Sequence, residues 1–318
     1  MGTPDFSVQA LKAIADSDNT ISLVITQPDR PKGRGRKTTP TPVKKAAQDL
    51  SIEVLQPKDI NTPEVINIIK SLKPDLFVVV AFGQKLSKEI LSIPAIYPVN
   101  IHASLLPYYR GSAPIQAAIS NMDKITGITT MVMGEALDTG DILLLTKTDI
   151  APDETFETLH DRLSKIGGDL ICATLDALSK NSLIPTPQNH EIATYAPMLK
   201  KSDGMILWEE TSEKICAKVR AMTPWPGAFT YWNGKALKIF KTEIIQPNKC
   251  QIETESPAHI FSPGTITEHQ YGEIRVATGN GAIRILELMG KSGKHLKAEE
   301  FLRGHKLERG TQFNNNDS

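Results

Sequence analysis

The chain has 318 residues, 40% apolar and 23% charged, which excludes a disordered or fibrous protein and suits two folded domains. Basic and acidic residues balance at 36 each, so no overall charge marks a partner; residues 1–199 hold 19 basic against 22 acidic side chains and 200–310 hold 17 against 13, which makes the second half the better candidate for a nucleic-acid contact. Cys172, Cys216 and Cys250 lie far apart with no CxxC pair, and no apolar run reaches membrane-spanning length, which argues against a disulfide framework, a zinc site and a membrane span and predicts a cytoplasmic protein.

Taken in order, Gly2 to Asp5 reads as a turn into a helix, with Pro4 near its first position and an apolar stripe from Phe6 to Ile14. No secretory pattern is present, and Phe6 stands where an acylation motif needs Ser or Thr. Ile21 to Thr26 is a short buried strand. Residues 27–45 break the pattern: Arg30, Lys32, Arg34, Arg36, Lys37, Lys44 and Lys45 face the single acid Asp29, with Gly33 and Gly35 interleaved. This is a basic loop, either a solvated surface or a contact for a phosphate backbone. Thr41-Pro42 and Thr62-Pro63 each start a helix. Asp75 to Ala81 is almost continuously apolar, as a parallel strand covered on both faces would be. Further strands are expected at Pro98–His102, Ile128–Met133 and Ile142–Ile150, and a long helix over Thr155–Lys180. This alternation predicts an α/β domain with an open, mostly parallel Rossmann-like sheet, whose sites gather at the carboxyl ends of strands.

Residues 182–199, rich in Pro, Asn and Thr, read as a linker. Beyond them a helix near Thr211–Met222 precedes short alternating strands. Phe229–Trp232 and Ala236–Phe240 flank Asn233-Gly234, and Ile274–Thr278 and Ala282–Leu288 flank Asn280-Gly281, two hairpin signals. A small OB-like β-barrel is expected. The domains then fall at 1–181 and 200–310, with 311–318 a disordered tail.

Chemistry concentrates from Asn100 to Gln116. Asn100 and His102 are two apart on a strand, so both side chains leave the same face where an apolar run ends. An amide and an imidazole together can bind and polarise an acyl oxygen. Leu137 to Asp141 follows another strand and offers two carboxylates, Asp138 and Asp141, and spacing does not choose between them. A carboxylate beside the imidazole would favour its protonated, donating form. A nucleophile elbow, a P-loop and paired metal-ligand histidines are all missing from the sequence. Direct attack of one substrate on another fits those residues.

Gly2 to Phe6, Gln27 to Pro31 with Gly33-Arg34-Gly35, Asn100 to Gln116, Leu137 to Asp141 and Pro224 to Gly227 together resemble the folate-dependent formyltransferases, and among them the methionyl-tRNA formyltransferase family. The resemblance spans both halves of the chain. It implies transfer of a formyl group from 10-formyltetrahydrofolate to the α-amino group of initiator methionyl-tRNA, using neither a metal nor a nucleotide cofactor; separately from the resemblance, a monomer is expected. By position it assigns Asn100, His102 and Asp138 to catalysis, and so selects Asp138 over Asp141. It assigns Ser104, Leu105, Leu106 and Pro107 to the folate, and Arg34, with Arg36 and Lys37 of the same loop, to the tRNA. A formyltransferase acting on a small amine is the alternative; a non-catalytic OB-type RNA-binding protein is a third reading, disfavoured by the trio. The resemblance also implies a strand ahead of Gly2 that the sequence does not contain, so the chain as written is expected to be poorly soluble or inactive, with an upstream extension restoring it.

Overall fold

The computed structural model describes residues 1–32, 37–245, 261–268, 272–290 and 293–314. These cluster into two compact units: residues 1–114, 125–149 and 159–197 form the first, and 115–124, 150–158 and 198–318 the second.

In the first unit, α1 (Phe6–Ala15) leads to β1 (Val24–Ile25), β2 (Arg30–Lys32), β3 (Lys37–Thr39), α2 (Pro42–Asp49) and β4 (Val54–Leu55). Then come α3 (Pro63–Ser71), β5 (Leu76–Val79), α4 (Lys88–Leu91), β6 (Tyr97–His102) and β7 (Arg110–Gly111), and the chain continues into α5 (Pro114–Ser120), of which residues 115–120 cluster with the second unit. The series ends with β8 (Ile125–Val132), β9 (Ile142–Asp149), α6 (Phe156–Ser179) and β10 (Tyr195–Ala196). Both helices start where expected: Thr41 Oγ1 accepts the Lys44 N–H ahead of α2, with Pro42 at its first turn, whereas Thr62 precedes Pro63 of α3 without a side-chain cap.

β1 pairs with β4 and β5 with β6, both parallel, while β8 returns antiparallel on β6 and β9 antiparallel on β8. Met1 and Gly2 join the two parallel pairs. The Gly2 N–H donates to Ile25 O, Gly2 bridges Val80 in parallel, and the Val80 N–H donates to Met1 O. A groove of about 540 Å³ with a mixed polar and apolar lining, including Gly2, Asp18, Ile25, Lys73 and Phe77, runs beside this junction. One core cluster gathers Ile25, Ile66, Ile69, Phe77, Val79 and Ile90. α6 buries Leu159, Leu163, Leu170, Ile171 and Thr174, and Gly167 lets it approach Ile101, whose Cγ2 would stand 3.3 Å from an added Cβ.

Most of the stretch expected as a linker, residues 182–199, is held by the first unit. Thr186 exchanges backbone hydrogen bonds with Ile142, and β10 pairs in parallel with β7. Backbone pairing does not need the side-chain periodicity by which elements are recognised, so these contacts left no pattern in the sequence.

The second unit contains α7 (Ser212–Met222), β11 (Ala228–Trp232), β12 (Lys235–Ile244), β13 (Ile266–Glu268), β14 (Ile274–Ala277), β15 (Ala282–Met289), β16 (His295–Lys297) and α8 (Ala298–Gly304). Its strands are antiparallel in the order β11-β12-β15-β14-β13, with β16 on β15. β12 is irregular in register around Lys241, which bends it. Asn233 (φ 49°) and Gly234 (φ 64°) form the turn between β11 and β12 that the sequence predicts. Residues 311–314, expected as part of a free tail, are paired instead: Gln312 bridges Thr265 and Asn314 bridges Tyr231. They connect the β13 side to β11, covering two edges that would otherwise lie open. Phe313 is buried with them and stacks on Trp208 at 5.7 Å between ring centroids. Among the described residues, no helix is long and apolar enough to cross a membrane.

Candidate active site

The site is built at the carboxyl end of β6. This strand carries Asn100 and His102 two residues apart, and β5 and β8 on either side fix its register: Asn100 lies opposite Val79 and Met131, and His102 opposite Thr129. His102 is buried. Its Nε2 lies 2.9 Å from the Tyr109 carbonyl oxygen, which can only accept, so Nε2 carries a proton. Its Nδ1 faces Asp138 Oδ2 at 3.6 Å. Asn100 is half-buried, and its side-chain amide has no hydrogen-bond partner among the described residues.

Asp138 reaches the imidazole because its backbone is turned to φ 54°, a left-handed conformation that aspartate tolerates better than most residues. The same Oδ2 accepts the Gly111 N–H at 2.8 Å, so the carboxylate is anchored as well as buried. Two glycines permit the arrangement. A Cβ on Gly140 would lie 1.8 Å from Val132 O, and one on Gly111, at φ 116°, 2.5 Å from Ala196 O. Asp141 is placed differently: its carbonyl accepts the Val132 N–H and extends the β8–β9 pairing.

Ser104 to Pro107 turn away from β6 against β8. Thr129 Oγ1, fully buried, donates to Ser104 O at 2.7 Å and accepts the Leu106 N–H at 3.1 Å. Ser104 Oγ donates to Tyr108 O, while Ser104 and Leu106 are buried and Leu105 is half-buried. Thr129, Arg110 and Gln188 belong to this neighbourhood but had not stood out in the sequence. Thr129 faces His102 across the sheet, a relation only register reveals. Gln188 lies in a stretch without periodicity.

The basic loop opens as a hairpin, with Arg30 to Lys32 of β2 antiparallel to Lys37 to Thr39 of β3. Arg34 and Arg36 lie outside the described residues, and of Lys37 only the backbone is described. At the base, Asp29 accepts from Lys44 Nζ and Gln56 Nε2, both at 2.6 Å. The hydrogen bond from Gln56, then that from Lys44, holds its carboxyl below the usual range. In the second unit Lys200, Lys201, Lys214, Lys235 and Lys241 are exposed. Lys218 and Arg220 of this unit have structural partners instead: Lys218 pairs with Glu210 and the Met205 carbonyl, and Arg220 donates to Glu154 O.

The chain thus sets an amide, an imidazole and a carboxylate near one strand end of an α/β sheet and follows them with a small antiparallel barrel. Residues 1–175 match the formyl transferase family and residues 198–306 its C-terminal domain family. A methionyl-tRNA formyltransferase of Citrifermentans bemidjiense is 44% identical over 318 residues, covering 100% of this chain and 96% of the relative. The sugar 3N-formyl transferase WlaRD, solved with dTDP and 5-N-formyl-THF, shares the fold with a TM-score of 0.65 at 19% identity, over 91% of this chain and 96% of its own. HypX from Aquifex aeolicus, in complex with tetrahydrofolic acid, gives 0.58 at 19% over 83% of this chain and 47% of that one. This chain belongs to the methionyl-tRNA formyltransferase family and is a one-carbon group transferase.

Proposed function

We propose that the chain transfers the formyl group of 10-formyltetrahydrofolate to the α-amino group of initiator methionyl-tRNA, as a cytosolic monomer. The observation that carries this reading is the buried His102–Asp138 pair on the strand face that also presents the Asn100 amide without a protein partner. In this reading the neutral α-amine attacks the formyl carbon directly, a new C–N bond forms, and the bond to N10 of the folate breaks as N10 takes a proton. The negative charge that develops on the formyl oxygen is met by the Asn100 amide and by His102. His102 keeps its Nε2–H on the Tyr109 carbonyl until the formyl oxygen takes that carbonyl's place. Exchanging a neutral acceptor for an oxyanion strengthens the bond only as charge develops, which is differential stabilisation of the transition state. Asp138 orients the ring and, through water, passes the amine proton towards N10.

The folate lies along Ser104 to Pro107, a turn whose backbone Thr129 ties to β8 and which is therefore preformed. Residues 1–181 serve catalysis and residues 200–310 bind tRNA, with Lys200, Lys201, Lys214, Lys235 and Lys241 available to phosphates. Arg34, Arg36 and Lys37 reach the acceptor end. The test is formyl transfer from labelled 10-formyltetrahydrofolate to charged initiator tRNA, to a nucleotide-linked amino sugar and to free methionine ester. Transfer confined to the tRNA is expected. Faster transfer to either small amine would contradict the tRNA reading.

A further inference from the structure

Behind the candidate catalytic pair lies an arginine whose partners are unusual. Arg110 is 2% exposed and no carboxylate pairs with it among the described residues. Its Nε and Nη2 instead converge on the side-chain oxygen of Gln188, at 3.1 and 2.7 Å, and Nη2 also reaches His190 Nδ1 at 3.0 Å. Gln188, itself buried, turns its Nε2 the other way and donates to Asp138 O at 3.0 Å and Gly140 O at 2.6 Å. The orientation of the amide is unambiguous, because a guanidinium only donates and a carbonyl only accepts. Every hydrogen-bonding role of that amide is filled.

If position 188 served only to neutralise Arg110, a carboxylate would serve better, since charge-assisted pairs are the stronger ones. A carboxylate, however, has no N–H to offer two carbonyls. The amide is therefore matched to the turn that carries Asp138, and Arg110 holds the amide in the orientation that makes both donations possible. That turn needs holding. It includes a non-glycine residue at φ 54°, and its carboxylate must meet the Gly111 N–H and the His102 ring together.

We infer that Gln188 is a positioning residue, braced by Arg110, that fixes the 138–140 turn and with it the placement of the Asp138 carboxylate against His102. The inference rests on the catalytic reading of Asp138 given above. Its test is steady-state kinetics on the full chain for both substrates with Gln188→Glu, Arg110→Lys and Asp138→Asn. Gln188→Glu keeps a partner for Arg110, now as an ion pair, but it turns two attractions to the turn into repulsions. The expected result is a fall in kcat of about 10- to 100-fold with KM for folate and tRNA unchanged within about twofold, the signature of a misplaced group rather than a lost binding contact. Arg110→Lys releases one side of the brace and is expected to lower kcat less, again at constant KM; it carries the test alone if Gln188→Glu does not fold. Parental kcat in these variants, with Asp138→Asn inactive, would overturn the positioning role and leave the catalytic reading standing. Parental kcat in Asp138→Asn would overturn both.

Discussion

At the scale of single residues, the site depends on side chains that each satisfy two demands. Thr129 is the plainest case, since one hydroxyl holds both ends of the Ser104–Leu106 turn. Replacing Thr129 with Val keeps the volume but leaves a buried N–H and a buried carbonyl without a partner, a loss of about 1–3 kcal/mol. The urea midpoint should fall accordingly, and the Kd for folate should rise more than kcat falls; an unchanged Kd would separate the turn from folate binding. Part of this was legible beforehand. Asn100 and His102 announce themselves because a period of two on a strand is a local property. The choice between Asp138 and Asp141 is not local, because it depends on which residue takes the left-handed conformation. Gln188 could not be read at all, as its partners lie 48 to 78 residues away along the chain.

At the scale of elements, hairpins were easier to foresee than edges. Asn233-Gly234 marks its turn by residue type alone. The barrel's closure by residues 311–314 rests on a polar, aperiodic segment whose one apolar anchor is Phe313. Phe313 is 2% exposed, so Phe313→Ala should cost about 3–5 kcal/mol of the second unit's stability. Thermal denaturation of the full chain should show one early transition; a cost below about 1 kcal/mol would mean the closing segment is dispensable. The same sheet carries an acid-sensitive cluster. Glu273 is held below the ordinary carboxylate range chiefly by its hydrogen bond from Arg275, with Arg284 adding to it and burial opposing it. A depressed folded-state pKa contributes stability above the ordinary value and loses it as pH falls through the folded one. Glu273→Gln should therefore lower stability modestly at neutral pH and flatten the acid limb below about pH 4.5, so that the variant and parent curves converge as the pH falls. An unaltered acid limb would show that another group governs it. In the first unit, β1 and β4 are each two residues long, and β1 lines the groove. Their amides should exchange hydrogen faster than those of Val99 and Ile101 in β6, which is paired on both sides.

For the molecule as a whole, the placement of charge says more than its sum. A net charge of zero conceals exposed lysines in the second unit beside others consumed by structure. Tight binding through phosphates predicts that log kcat/KM for tRNA falls linearly with log salt concentration, while the KM for folate responds weakly. Lys214→Ala should reduce the slope by about one, whereas Lys218→Ala should leave the slope and lower stability instead. A flat salt response would remove the proposed phosphate footprint. The central claim is that Asn100, His102 and Asp138 act on the formyl group and not merely on the fold. The most direct measurement is the single-turnover rate of formyl transfer to initiator methionyl-tRNA by His102→Ala, with the folate Kd measured on the same preparation. The account predicts a rate lower by about 10²- to 10³-fold at an unchanged Kd. A rate within about twofold of the parent, or losses of binding and rate in equal proportion, would contradict it.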